Sequence, residues 1–331
     1  MKYQESDVSV LIPTYKPSSY LRTAIEKALS SSVGEIIVSI NDAINFPADQ
    51  YIEGFSDERL TIVRQTQQLG LWGNHLALLK LSTKPWIKFL HEDDKRKLGF
   101  LKTMLTYADE QVAVVGSLKF SQDIITGTIY QGFQLKEPKR WDSNAYMNRI
   151  LVVGNEPSCP SFTLLRRDVI DFSEEAWDNS MNCDYVCNVI AASRGDVVLQ
   201  PPGGIASGDH PGRDCSTQGL SLYINRLENT VAYLKRMANP RVVKVGRISG
   251  FVEHLGLIRV ILGAMRRGNV KAVKYLWKTL LYLVKNILKL TLLGMMIGIS
   301  SRMLFTGNTV QPRFMVLGLV VTLASITSLI M

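Results

Sequence analysis

The run His91-Glu92-Asp93-Asp94 puts an imidazole and three acids directly after an apolar segment, Trp86 to Leu90. If that segment is a strand, Asp93 and Asp94 are adjacent carboxylates at the carboxyl edge of a sheet. They repel each other there and are tolerated with a cation or a basic partner. A hard divalent ion with open positions would bridge them to a diphosphate. The residues alone leave an acidic turn or a helix start equally open, since the helix dipole favours Asp. A second cluster lies in Ser207-Gly208-Asp209-His210-Pro211-Gly212-Arg213, within a Gly-, Ser-, Asp- and Pro-rich stretch from Gly204 to Gly219. That composition suits an active-site flap. Arg213 is able to pair phosphate oxygens bidentately, and an ordinary surface role for His210 and Arg213 is equally open. Cys159, Cys183, Cys187 and Cys215 form no C-x-x-C pair, so neither a zinc ribbon nor a disulfide framework is expected, and they read as thiols in a reducing compartment.

Elements that could position these groups are legible upstream. Val8 to Ile12 is a short apolar run ending at Pro13, as a buried parallel strand would be. Ser18 and Ser19 offer a cap to a helix with Leu21, Ile25, Ala28 and Leu29 on one face. Strands are expected at Glu35–Ile40, Leu60–Val63, Trp86–Leu90 and Val112–Val115, with helices over about Leu71–Leu81 and Leu98–Tyr107. This alternation predicts an open α/β sheet with ligands outside the carboxyl ends of its strands. After Gly116 the pattern loosens. A hairpin is expected over Ile124–Gln131, a helix over Asn179–Ser193 and a strand at Val197–Leu199. Cys183 and Cys187, four residues apart on that helix, suit core packing. No G-x-x-x-x-G-K-[ST] loop is present, and no G-x-G-x-x-G follows the first strand, which argues against a P-loop NTPase or a dinucleotide enzyme.

The 331 residues are 46% apolar and 20% charged, too apolar for disorder and enough for one large domain with an appendage. The opening Met1 to Asp7 lacks the basic-then-apolar pattern of a cleaved signal peptide. Charge is unevenly placed. From Lys235 onward there are 15 Lys and Arg against a single acid, Glu253, whereas the first 234 residues are net acidic. The basic excess accompanies apolar sequence rather than base-stacking aromatics, which argues against nucleic acid as a partner. Lys271, Lys274, Lys278, Lys285 and Lys289 fall within an arc of about 60° on one helical face, opposite a broad apolar face. A helix of that kind lies in an anionic membrane surface, with its basic side cytoplasmic. Phe314–Met331 is uncharged over 18 residues and Leu290–Ser301 over a shorter run. One span, two spans or a dipping segment are all compatible with those lengths.

Four stretches, in order, resemble the family 2 glycosyltransferases, inverting enzymes of GT-A fold. Val10-Leu11-Ile12-Pro13-Thr14-Tyr15-Lys16 is similar to the family's opening strand. Leu69-Gly70-Leu71-Trp72-Gly73-Asn74 is similar to its N-x-G…N helix start. Phe89-Leu90-His91-Glu92-Asp93-Asp94 resembles its F-L-x-x-D-D metal motif, with His91 replacing the outer aspartate. Trp177 to Tyr185 resembles the region of its catalytic aspartate. The resemblance covers about residues 7 to 218. It implies that Pro13, Thr14 and Tyr15 line the nucleotide, that Asn41 or Asp42 accepts from the base, and that Asn74 sits near the base or ribose. It implies Asp93 as principal ligand of Mn²⁺ or Mg²⁺, with His91 in position to help and Asp94 ordering the loop or the donor sugar. Asp184 would be the general base, and His210 would close over the diphosphate or metal. Ile40-Asn41-Asp42 departs from the usual Asp-Asp. Gly154 to Ser161 resembles the family's acceptor-side loop. No Q-x-x-R-W follows Asp184, so one sugar per visit is expected rather than chain extrusion.

These features together lead to an expectation of three parts: a GT-A catalytic domain over residues 1–219, a helical extension over 220–270, and a membrane-associating tail over 271–331. The expected reaction moves one sugar from a UDP, dTDP or GDP donor to a lipid-linked saccharide acceptor, as in O-antigen or capsule synthesis, at the cytoplasmic face of the inner membrane. A catalytically silent nucleotide-sugar-binding scaffold of the same fold is the alternative.

Overall fold

The computed structural model describes residues 2–92, 94–96, 99–118, 120–123, 129–131, 135–153, 156, 159–201, 205–209, 220–248, 276–281 and 283–284. The chain divides into two units, Met1–Val245 and Gly246–Met331.

The first unit is built on an eight-stranded sheet. Its strands are β1 (Val8–Thr14), β2 (Glu35–Ile40), β3 (Leu60–Arg64), β4 (Trp86–Phe89), β6 (Val112–Ser117), β9 (Lys139–Trp141), β10 (Thr163–Arg166) and β11 (Asp196–Gln200), in the order β3-β2-β1-β4-β10-β6-β11-β9. The first four are mutually parallel, β10 is inserted antiparallel between β4 and β6, and β9 closes the far edge antiparallel to β11. Helices α1 (Ser19–Leu29), α2 (Asp49–Ile52), α3 (Gly70–Leu81), α4 (Phe100–Leu105), α5 (Ser143–Val153), α6 (Cys183–Ser193) and α7 (Leu220–Arg236) are the connections and flanks. A smaller sheet runs β5 (Lys95–Arg96), β12 (Ile205–Asp209), β7 (Phe120–Asp123), β8 (Ile129–Gln131).

The first half follows from its sequence. In β1 and β2 nearly every residue is buried, as strands covered on both faces require. Ser18 caps α1 by accepting from the Tyr20 N–H at 3.2 Å, and Leu21, Ala24, Ile25 and Ala28 turn inward. Their partners are Val8, Val10, Ile12, Ile36 and Val38, continued by Trp86, Leu101, Met104, Val112, Phe162 and Leu164. Each such side chain, fully buried, contributes roughly 1.5–3 kcal/mol. Pro13 does not end β1. It pairs with Ser39 of β2, and since the ladder to β4 stops at Leu11, the proline sits where β1 has a neighbour on one side only.

The second half departs from expectation in four places. β10 and α5 were not legible as elements. The Asn179–Ser193 helix starts later, at Cys183, because 178–182 form a turn tied to other elements. Part of the Gly204–Gly219 stretch is a strand, β12, rather than loop. β12 runs antiparallel to β5, pairing Ile205 with Arg96 and Ala206 with Lys95, so the chain heading for residue 210 is led back toward the Asp94 end of β5.

Of the second unit, residues 276–281 and 283–284 are helical. Trp277, Leu280, Leu281 and Val284, spaced to share one face, are exposed, whereas Thr279 and Leu283 are buried. No helix among the described residues is long and apolar enough to cross a membrane. The segments Leu290–Ser301 and Phe314–Met331 lie outside the described residues.

Candidate active site

The carboxyl ends of β1, β2 and β4 and the amino ends of α3 and α6 bound the site, and buried amides fix them. Asn74 of α3 is 3% exposed. Its Oδ1 accepts from Ser39 Oγ at 2.6 Å, and its Nδ2 donates to the carbonyls of Ser39 (3.2 Å) and Thr14 (3.3 Å). It therefore holds the backbone of Thr14 rather than presenting its amide outward. Asn41, also buried, accepts from the Leu69 N–H at 2.7 Å and donates to the Gly70 carbonyl at 3.2 Å, stapling the end of β2 to the start of α3. Asp42 follows in the left-handed region, φ 59°, a strain of order 1 kcal/mol for a non-glycine residue, with its carboxylate accepting from Asn45 at 2.8 and 3.0 Å. Thr14 is buried. Tyr15 is exposed, packs edge-on against Phe46 at 5.1 Å, and shares Lys16, whose Nζ lies 5.4 Å from both ring centroids. An aromatic pair with a cation at a strand end is a platform for a flat, anionic ligand.

The start of α3 is also tied to the loop before α6. Asn179 Oδ1 accepts from the Trp72 N–H at 2.8 Å, and its Nδ2 donates to the Leu69 carbonyl at 3.3 Å. Gly70 has φ +74°, and a Cβ there would lie 2.2 Å from Asn179 Nδ2, so glycine is required for this contact. From the other side, Thr230 Oγ1 of α7 accepts from the Asn182 N–H at 2.9 Å and Asn229 donates to the Ser180 carbonyl at 3.3 Å.

So clamped, the loop delivers Asp184 to the second position of α6. Part of its surface reaches solvent, yet protein surrounds the carboxyl group. Desolvation pushes its pKa up to about 6, against the pull of the helix-start N–H groups and the charges of Arg226 and His91. Arg226 of α7 and His91 are thus the basic groups whose field reaches Asp184.

His91 ends β4 in a network of its own. His75 Nδ1, 2.8 Å from the Leu71 carbonyl, must donate to it, and burial pulls the His75 pKa down to about 3, so this ring is neutral. Its bare Nε2 lies 3.0 Å from His91 Nε2, which the hydrogen-bond network therefore assigns as the protonated nitrogen. His91 Nδ1 in turn faces Ser161 Oγ (3.1 Å), Cys159 Sγ (3.5 Å) and Asp94 Oδ2 (3.7 Å). The Asp94 side chain is fully buried. Buried Lys88 of β4 donates to the carbonyls of Ser161 and, at 3.1 Å, Thr163, fixing the segment that carries those partners.

His91, Asp94 and Cys159 each offer a ligand atom, all within 4.8 Å of one another. An imidazole, a carboxylate and a thiol fit a divalent transition ion better than Mg²⁺. Asp93, His210 and Arg213 lie outside the described residues, as do Gly154, Asn155, Pro157, Ser158 and Cys215. Cys183 and Cys187 are buried and burial raises both thiol pKa values, that of Cys187 to about 12, in keeping with inert packing.

The structure thus brings together Thr14, Tyr15, Asn41, Asp42 and Asn74 at one edge, and His91, Asp94 and Asp184 near it. Sequence reasoning missed Phe46, His75, Ser161, Cys159 as a site residue, Asn179 and Arg226. Asn179 and Cys159 stood inside stretches already singled out; a lone histidine in an apolar helix, such as His75, carries no local signal.

Comparison with known proteins agrees with this architecture. The model of glycosyl transferase family 2 matches residues 9–172, which ends before Asp184. No curated protein matches the chain at a significant level. Among solved structures, that of S. aureus TarS 1-349 in complex with UDP-GlcNAc superposes with a TM-score of 0.55 at 13% identity, over 71% of this chain and 70% of that one. The same protein in complex with UDP gives 0.52 at 14% identity, over 71% and 69%. At such identity the likeness is one of fold. Taken with the motifs and the strand order, the match identifies residues 9–172 as a glycosyl transferase family 2 region, on the GT-A fold.

Proposed function

We propose that this chain is an inverting glycosyltransferase that moves one sugar from a nucleoside-diphosphate sugar to a lipid-linked saccharide at the cytoplasmic face of the membrane. Asp184 carries the reading. A carboxylate with its pKa raised to about 6, at a helix start and within the field of His91 at the end of β4, is poised as a general base near neutral pH. In the proposed step it takes the proton of the acceptor hydroxyl as that oxygen attacks the anomeric carbon, and the nucleoside diphosphate leaves from the opposite face. Tyr15, Phe46 and Lys16 are assigned to the nucleobase, with Pro13, Thr14, Asn41, Asp42 and Asn74 shaping that edge. Asp93 is assigned as principal ligand of Mn²⁺ or Mg²⁺, with His210 and Arg213 toward the diphosphate; such an ion, when bound, neutralises charge on the leaving group. TarS, which shares the fold, has been crystallised with UDP and UDP-GlcNAc, and this supports UDP as the first donor to try.

The test is a thermal-shift series on the detergent-purified full chain with UDP, GDP and dTDP, each with Mn²⁺, with Mg²⁺ and with EDTA. A ligand at ~100 times its Kd stabilises by about 2.7 kcal/mol. One nucleotide is expected to raise the melting temperature in a metal-dependent way. A response to none removes the donor assignment, and a response unchanged by EDTA removes the metal.

Membrane attachment rests on residues 271–331. Exposed Trp277, Leu280, Leu281 and Val284 share one helical face beside exposed Lys278, an arrangement that supports a helix lying in a lipid surface. Deleting Lys271–Met331 is expected to move the protein from the membrane pellet to the supernatant on ultracentrifugation; a truncated chain that still pellets with membranes places the anchor elsewhere.

A further inference from the structure

The cluster of His91, Asp94 and Cys159 has the build of a metal site whose chemistry differs from a carboxylate-only magnesium site. Three observations converge on it. The first is spacing. Tetrahedral zinc with its usual bonds to nitrogen, oxygen and sulfur has ligand–ligand edges of about 3.3–3.6 Å. Here His91 Nδ1 lies 3.5 Å from Cys159 Sγ and 3.7 Å from Asp94 Oδ2, close to those edges, and all three ligand atoms lie within 4.8 Å of one another. The second is orientation. A metal-bound histidine commonly donates its other ring N–H to a fixed acceptor. His75, itself anchored on the Leu71 carbonyl, supplies that acceptor to His91 Nε2, which leaves Nδ1 facing the thiol and the carboxylate. The third is support around the ligands. Ser161 Oγ, 3.2 Å from Cys159 Sγ, is placed to donate to a thiolate, and Lys88 pins the Ser161 backbone carbonyl.

We propose that His91 Nδ1, Cys159 Sγ and an Asp94 carboxylate oxygen bind Zn²⁺, with preference over Mg²⁺, and thereby tie the end of β4 to the segment entering β10. Binding is an exchange without redox change: the ion displaces the Cys159 thiol proton and any proton on His91 Nδ1, which leave to solvent, and takes the thiolate, the imidazole nitrogen and the carboxylate as ligands. Thiolate and imidazole favour zinc, whereas Mg²⁺ prefers an all-oxygen shell. The site needs neither donor nor acceptor and so stands apart from the transferase reading, and it commits to zinc the His91 ring that the family resemblance offered as a helper to Asp93.

The experiment is a Co²⁺ titration of the full chain in detergent, freed of metal beforehand, followed by absorption spectroscopy and by melting. One equivalent of Co²⁺ is expected to give a thiolate-to-cobalt charge-transfer band that Zn²⁺ abolishes and excess Mg²⁺ leaves in place. Cys159→Ser is expected to lose the band, while Cys183→Ser and Cys215→Ser keep it. In the wild type, Zn²⁺ is expected to slow alkylation of Cys159, read by peptide mass spectrometry, which covers the case of a Cys159→Ser chain that fails to fold. Absence of the band, its persistence in Cys159→Ser, its removal by Mg²⁺, or alkylation indifferent to Zn²⁺ would each overturn the proposal. Nucleotide-dependent melting, measured on the same samples, reports on the transferase reading separately.

Discussion

Asp184→Asn is expected to lower kcat by about 10²–10⁴-fold while leaving donor affinity within a factor of about two, because a positioned base supplies a gain of that size. The asparagine keeps the shape of the side chain and removes the proton acceptor. The pH profile gives a second, independent readout. With the Asp184 pKa at about 6, the wild-type rate should be flat above neutral pH and fall about tenfold per unit below pH 6, whereas the residual rate of the variant should lack that limb. The same raised pKa has a consequence for stability. Above pH 6 the folded chain holds an ionised carboxylate whose surroundings disfavour its charge, a cost the unfolded chain does not bear. As pH falls through about 6, the folded state binds the proton first, and this cost is relieved, fully so below the unfolded carboxylate value near 4. Asp184→Asn should therefore melt higher than wild type at pH 7.5, with the gap closing toward pH 4. A variant that loses activity and also melts lower at pH 7.5 would make Asp184 a structural residue.

Asn74→Ala is expected to cost about 2–4 kcal/mol of stability and to weaken donor binding at least tenfold. The substitution removes three buried hydrogen bonds at once: it leaves the Ser39 hydroxyl hydrogen without its acceptor and takes a donor from the carbonyls of Ser39 and Thr14, of which Thr14 keeps the Asn41 N–H at 2.8 Å. Unsatisfied buried groups cost about 1–3 kcal/mol each, and Ser39 Oγ retains one partner because it still accepts from Gln65 Nε2 at 3.1 Å. Loss of binding follows because the Thr14 carbonyl lies where β1 hands over to exposed Tyr15, so the aromatic platform loses one of the two hydrogen bonds that hold it. Urea unfolding and nucleotide titration measure the two effects. A change below about 0.5 kcal/mol would mean that Asn74 is not the tie described here.

How much of this was legible beforehand depends on the range of the interactions involved. The strands Glu35–Ile40 and Leu60–Arg64 are set by local apolar runs, so they emerge from periodicity, and the α1 cap from a single serine. The acidic turn after β4 was visible as a motif because its residues are consecutive. What remained hidden is assembled across the chain. β10 has only four residues and no alternation, yet it lies antiparallel between β4 and β6. β12 looks like loop because four of its five residues, Ala206 to Asp209, are small or polar, and it becomes strand through pairing with β5 and β7. Asn74 and Asn41 were read as candidates to touch a nucleotide, and the side-chain amide hydrogen bonds to backbone that the structure shows them making join residues 28 to 60 positions apart. His75 and Cys159 meet His91 from 16 and 68 residues away in sequence, a convergence that no local pattern encodes.

Incorporation of radiolabelled sugar into the organic-extractable fraction of membranes, with wild type and Asp184→Asn side by side and UDP-, GDP- and dTDP-sugars in turn, tests the central claim most directly. The account predicts label from one donor class with wild type and background counts with Asp184→Asn, although both proteins bind that donor. Equal incorporation by the two proteins, or a wild type that binds the donor and transfers nothing, would contradict it.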